Sequence, residues 1–68
     1  MNRHPNYREI VKAIQANLVE FGYGGLREDT VLASYDKAMA GEKPKGIIDM
    51  MTRSQLEQNG LLPEEAQP

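Results

Sequence analysis

Glycine interrupts this chain at three places, and the spacing of those places limits what the chain can fold into. One cluster lies within residues 22–25, Gly41 and Gly46 enclose a short segment with a proline, and Gly60 precedes Pro63. Glycine adopts the left-handed backbone conformation that ends many helices, and proline does not continue them. The sequence therefore predicts three or four short helices joined by short connections.

The first segment has the clearest helical pattern. Its large apolar residues recur at intervals of three and four, and on a helix they fall within about 100° of arc. They are Tyr7, Ile10, Val11, Ile14, Leu18 and Phe21. Asn6 and Glu9 have the spacing of a capping box, and Gly22 is placed to end the helix. We predict a helix over residues 7–21 whose apolar stripe packs inside.

A second apolar stripe follows the glycine cluster. It consists of Val31, Leu32, Tyr35, Ala38 and Met39. Glu28 and Asp29 lie where carboxylates interact favourably with the positive end of a helix dipole, and Lys37 lies toward the opposite end. These features predict a second helix over residues 27–40, which Gly41 would end.

The third segment contains a break in its apolar periodicity. A broad helical face can hold Ile47, Ile48, Met50 and Met51, but Leu56 would point nearly opposite Ile47 on one straight helix. The pattern therefore restarts near Thr52.

Residues 52–55 have the form of a capping box, which favours two short helices over residues 47–51 and 53–59. A single bent helix is the alternative. In either case Gly60 would be the left-handed residue after the helix, and Leu61 would contact Leu56.

No segment alternates apolar and polar residues with a period of two, so no strand is predicted. The predicted fold class is all-α, a compact domain of three to four helices over residues 1–62 with a short acidic flexible tail over residues 63–68. A chain of 68 residues is long enough for one thin core, since such chains bury only roughly 60% of their unfolded surface.

The composition argues against most classes of reactive site. The chain has no cysteine and one histidine, His4, and neither Ser34 nor Ser54 has a base at a helical offset that could activate it. The carboxylates lack the spacing of a calcium loop, and no apolar run approaches the roughly 20 residues that cross a bilayer. We expect no enzymatic activity, cofactor, metal site or membrane span, and the lack of cysteine favours the cytoplasm.

Apolar side chains beyond those that the core needs indicate a binding role. Tyr23 lies between glycines in a turn, and the adjacent Met50 and Met51 cannot both face one narrow core. The sequence therefore favours a small non-enzymatic protein-interaction or regulatory module. Its partner would be another protein or a second copy of the same chain.

The turn Phe21-Gly22-Tyr23 between two amphipathic helices, with a third apolar helix behind it, resembles the three-helix ubiquitin-associated module over about residues 10–51. That module carries a Met-Gly-Phe/Tyr loop at this point, and Phe21 stands where the module has methionine. The resemblance implies a protein-docking surface made of Phe21, Gly22, Tyr23, Met50 and Met51.

The region from residue 37 to residue 53 supports a different function. It holds four basic and two acidic side chains, in a chain whose net charge is -2. A nucleic-acid-binding adaptor of the helix-turn-helix type would use Lys43, Lys45, Arg53 and Gln55, because Arg and Gln can read guanine and adenine edges. The acidic balance of the whole chain makes nucleic acid the less favoured partner.

Overall fold

Three α-helices make up the fold in the computed structural model, which describes residues 3–62. They are α1 (Tyr7–Glu20), α2 (Glu28–Met39) and α3 (Ile47–Gln58), and residues 3–62 contain no strand. The all-α prediction is therefore confirmed, and the predicted ends of α1 and α2 agree with the structure to within one residue. The predicted tail over residues 63–68 lies outside the described residues.

The third segment is one continuous helix, so its predicted division into residues 47–51 and 53–59 is wrong. Thr52 is fully buried in the middle of α3, one turn after Ile48 and one turn before Leu56. Ile47, in contrast, is 53% exposed. The break in periodicity appears only if Ile47 faces the core, whereas Ile48, Thr52 and Leu56 share the inward face at intervals of four.

Neither predicted capping box forms. The backbone of Asn6 has φ -104° and ψ 29°, which is not the extended conformation that side-chain capping requires, and its side chain makes no capping hydrogen bond. Its backbone N–H instead donates to Nδ1 of His4 at 3.0 Å. The second box fails because Thr52 lies inside α3 and not at a helix start.

The helix ends, in contrast, follow the glycine prediction. Gly22, Gly41 and Gly60 have φ values of +107°, +80° and +69°, in the region that side chains with a Cβ rarely adopt. After Gly22 the N–H of Tyr23 donates to the Leu18 carbonyl at 3.2 Å, a bond typical of the Schellman motif. The predicted closure of α3 is confirmed too.

In that closure the N–H of Leu61 donates to the carbonyl of Leu56 at 2.9 Å. Leu61 itself packs against the core. The end of α3 is thus both hydrogen-bonded and covered by an apolar side chain.

The core lies between the inward faces of the three helices. Its seven apolar side chains, each at most 4% exposed, are Val11, Ile14, Leu18, Val31, Tyr35, Ala38 and Leu56. The rings of Tyr7 and Tyr35 stack with centroids 6.5 Å apart, and Nε2 of Gln15 donates to the Leu26 carbonyl at 3.0 Å. These two contacts show that α1 and α2 run antiparallel.

Residues before α1 connect it to α2. The guanidinium of Arg3 makes two hydrogen bonds to the Asp36 carboxylate, at 3.0 and 2.8 Å, and lies 4.8 Å from the centre of the Tyr7 ring. The backbone N–H of His4 donates to the Tyr35 hydroxyl at 3.0 Å. The buried tyrosine therefore has a partner for its polar end.

Candidate functional site

A groove of about 510 Å³ lies between α1 and the C-terminal part of α3. Its accessible apolar lining is Ile10 and Ala13 from α1 and Leu61 after α3, and the buried core residues Ile14 and Leu56 lie beneath them. Grooves that are mostly apolar, with a few polar groups that converge on them, are the usual form of a binding site.

The polar part of the groove consists mainly of carboxamides, from Asn6, Asn17, Gln55 and Asn59. Nδ2 of Asn17 donates to Oε1 of Gln55 at 2.8 Å, which joins α1 to α3, and Nδ2 of Asn59 donates to the Gln55 carbonyl at 2.8 Å. A carboxamide offers two N–H donors and an accepting oxygen. Each group therefore keeps hydrogen-bonding capacity for a bound molecule.

Phe21 lies directly after α1, and its side chain is 66% exposed. Its backbone N–H donates to the Asn17 carbonyl at 3.2 Å, so the helical course of α1 continues to this residue. Residues four apart are neighbours on one helix flank. Phe21 therefore lies one turn beyond Asn17 on the flank that lines the groove, and its predicted place in the core is wrong.

The position of Tyr23 explains why Phe21 is exposed and not part of the core. It is half-buried and packs against the core, and its N–H donates to the carbonyl of Leu18. In a Schellman closure the second residue after the helix folds back over the last turn. Because Gly22 turns the chain back here, Tyr23 covers the end of the core and Phe21 stays outside.

The two methionines of the predicted docking surface have different environments. Met50 is 55% exposed, whereas Met51 is half-buried and packs against the core. Ile47, which precedes Met50 by three residues, is also exposed. These positions form a second exposed apolar area at the start of α3.

Asp49 holds this part of α3 against α2. Its carboxylate accepts a hydrogen bond from the Ser34 hydroxyl and one from the Lys45 N–H at 3.1 Å, and it lies 3.7 Å from Nζ of Lys37. The Ser34 hydrogen bond, followed by that from Lys45, holds the pKa of Asp49 below its usual value. Met50, next to Asp49, is therefore near the C-terminal half of α2. The turn at Gly22 comes before the N-terminal end of α2.

The residues predicted to bind nucleic acid lie in different environments. Lys43 and Lys45 are exposed in the connection between α2 and α3. Nη1 of Arg53 donates to the carbonyl of Glu42 at 3.4 Å, and Gln55 accepts the hydrogen bond from Asn17. Both side chains predicted to read bases therefore have partners within the domain.

Comparison of this chain with protein families, with curated proteins and with solved structures finds no significant match. The resemblance to the ubiquitin-associated module therefore stays a prediction, with the order of three helices as its only support. Within residues 3–62 no group of three or more His, Cys, Asp or Glu side chains is placed to hold a metal ion. In the same part of the chain no helix is long and apolar enough to cross a membrane.

Sequence reasoning missed the groove as a site. The helical pattern places Ile10 and Ile14 in the core and gives no role to Asn17, which lies three residues after Ile14 on the edge of the apolar stripe. The feature of the sequence that indicates the groove is an amide side chain next to an apolar helical stripe. The packing of α3 against α1, which creates the groove, has no counterpart in the local pattern.

Proposed function

We propose that this chain is a small non-enzymatic protein-interaction module, which binds another protein or a second copy of itself through apolar side chains that its own core leaves uncovered. The observation that carries the proposal is Phe21, the only phenylalanine of the chain, which is 66% exposed beside an apolar groove. Aromatic side chains are enriched at the centres of protein interfaces. Full burial of one contributes about 1.5–3 kcal/mol.

The exposed pair Ile47 and Met50 supports the same function. Their exposed fractions are 53% and 55%, whereas the buried apolar side chains among residues 3–62 number seven. Methionine adapts its shape to varied partners and is common at binding surfaces. A small domain that leaves large apolar groups in water gains free energy when a partner covers them.

Two hydrogen bonds support the non-enzymatic part of the proposal. Ser34 is 5% exposed and its hydroxyl donates to Asp49, so the oxygen is out of reach of a substrate. Nδ1 of His4 accepts the N–H of Asn6, which occupies one of the two ring nitrogens. A nucleophile needs an accessible oxygen and an adjacent base. The cytoplasmic location stays a prediction from the cysteine-free sequence.

Nucleic acid is not the proposed partner. Arg53 and Gln55 already have partners within the domain, and the chain carries a net charge of -2. Proteins that bind the phosphate backbone usually carry a clear basic excess.

Site-directed photo-crosslinking in native host cells tests the proposal. The photoreactive residue p-benzoylphenylalanine replaces Phe21 in one variant, Met50 in a second and the exposed Lys43 in a control. We expect adducts of defined mass from position 21 or position 50, and none from position 43. Mass spectrometry then identifies the crosslinked chain.

Two results would contradict the proposal. One is the absence of any adduct at positions 21 and 50. The other is an equal pattern of adducts at all three positions, which would show random collision and not a binding surface.

A further inference from the structure

We propose that a second copy of this chain occupies the groove, with Phe21 of each copy inserted between α1 and the C-terminal part of α3 of the other across a two-fold axis. This inference rests on the proposed interaction function and narrows it to one partner. A dimer of this kind is isologous, so one surface must carry both a protruding group and the site that receives it.

The protruding Phe21 and the groove that would receive it lie on one flank of α1. The groove is lined from Asn6, just before α1, to Asn17 within it, and Phe21 lies one turn beyond Asn17 on the same flank. About 16 Å of helix separates Ile10 from Phe21, at 1.5 Å per residue. If two α1 helices pair antiparallel about an axis midway between these residues, Phe21 of each copy lies opposite Ile10 of the other.

The charges of the groove permit such a pairing. Near a two-fold axis a group meets its own copy, so a charged lining would repel itself. Apart from His4 and Glu9, the polar lining of the groove consists of carboxamides, which can donate to and accept from identical groups. Within residues 3–62, Glu9 is the only Asp, Glu, Lys or Arg side chain in the lining. In the antiparallel register it lies opposite Gly22 and not opposite another Glu9.

The volume of the groove and the surface area of the molecule are also compatible with a dimer. A groove of about 510 Å³ is in the size range of pockets that hold drug-sized molecules, so a benzyl side chain fits. The accessible surface of the molecule is 4715 Å². A stable interface of standard size buries about 800 Å² per partner, about one sixth of that surface. The proposed dimer therefore has to bury about this share of each copy, along the flank of α1 that holds the groove and Phe21.

Sedimentation equilibrium over a wide range of protein concentrations tests the inference. We expect the mass to rise reversibly from 7.6 kDa for the single chain to twice that value. Phe21→Ala removes the inserted side chain, and Ala13→Arg fills the groove with a residue that favours helix. Each should weaken dimerisation at least about tenfold, as expected for the central contact of an interface.

Val19→Ala is the matched control. Val19 is 41% exposed on the same helix, but it lies two residues from Phe21 and therefore about 160° away around the helix axis. Its removal should leave the dimer unchanged. Circular dichroism of all three variants confirms that each keeps its helices.

A mixture of the two defective variants makes the test specific. Phe21 of the Ala13→Arg chain can still enter the open groove of the Phe21→Ala chain, which restores one of the two contacts. The mixture should therefore contain more dimer than either variant alone.

Three results would overturn the inference: a monomer at every concentration, a dimer that neither variant weakens, or a mixture with no more dimer than its components. A monomer that crosslinks to a different protein through position 21 would overturn self-association and leave the proposed function standing. Adducts at position 21 that contain only this chain would support both.

Discussion

Replacement of Thr52 by valine should make this domain more stable. Thr52 is 0% exposed in the middle of α3, and its Oγ1 has no hydrogen-bond partner among residues 3–62. A buried hydroxyl without a partner has lost its hydrogen bonds to water and gained none in exchange. Valine has the same branched shape with a methyl group in place of the hydroxyl, so the substitution removes this cost without opening a cavity.

The magnitude follows from the burial. A buried polar group without a partner costs about 1–3 kcal/mol, and valine and threonine have similar helix propensities. We expect a gain of about 1 kcal/mol in the free energy of unfolding. In a domain of 60–100 residues that corresponds to a rise in Tm of about 4–8 °C.

Thermal and urea unfolding, followed by circular dichroism at 222 nm, measure the change. Thr30→Val on the exposed start of α2 is the matched control and should shift stability by less than about 0.5 kcal/mol. Thr52→Ser keeps the hydroxyl and loses the methyl, so it should destabilise by about 1 kcal/mol. A lower Tm for Thr52→Val would refute the reasoning, because it would show that the hydroxyl has a stabilising partner.

Two further tests concern the turn after α1 and the hydrogen bonds of Asp49. Tyr23→Ala should lower the free energy of unfolding by about 1–3 kcal/mol because Tyr23 covers the end of the core. Phe21→Ala should lower it by less than about 0.5 kcal/mol, since Phe21 is exposed. Equal losses of the two variants in urea unfolding would contradict this assignment. The pKa of Asp49 is lowered in the folded state, so its stabilising effect is complete above about pH 5 and is lost as the pH falls further. Asp49→Asn should therefore flatten the dependence of the urea midpoint on pH between about 5 and 2. An unchanged slope for Asp49→Asn would be evidence against the network with Ser34 and Lys45.

Local signals were sufficient to predict where the helices end. Gly22, Gly41 and Gly60 each take positive φ and close a helix through hydrogen bonds that span six residues or fewer. Such bonds depend only on neighbouring residues, so a sequence window contains all the information needed. The fold class followed from the same local pattern.

The candidate site was predicted only in part. Exposed Met50 and packed Met51 agree with the expectation that two adjacent methionines cannot both face the core. The turn was recognised as unusual, but the exposed aromatic is Phe21 and Tyr23 is the packed one. A helical stripe cannot show this exchange, because it results from the reversal of the chain after the helix.

The helical segments, their glycine ends and the absence of a cysteine framework are properties of the amino-acid order alone, since each depends on interactions within a few residues. Packing between distant segments decided the rest. It made α3 continuous through the buried Thr52, placed Ile48 inward and Ile47 outward, and formed the groove where Gln55 meets Asn17. Burial depends on which remote helix covers a side chain, and residues 38 positions apart come together only when the helices dock.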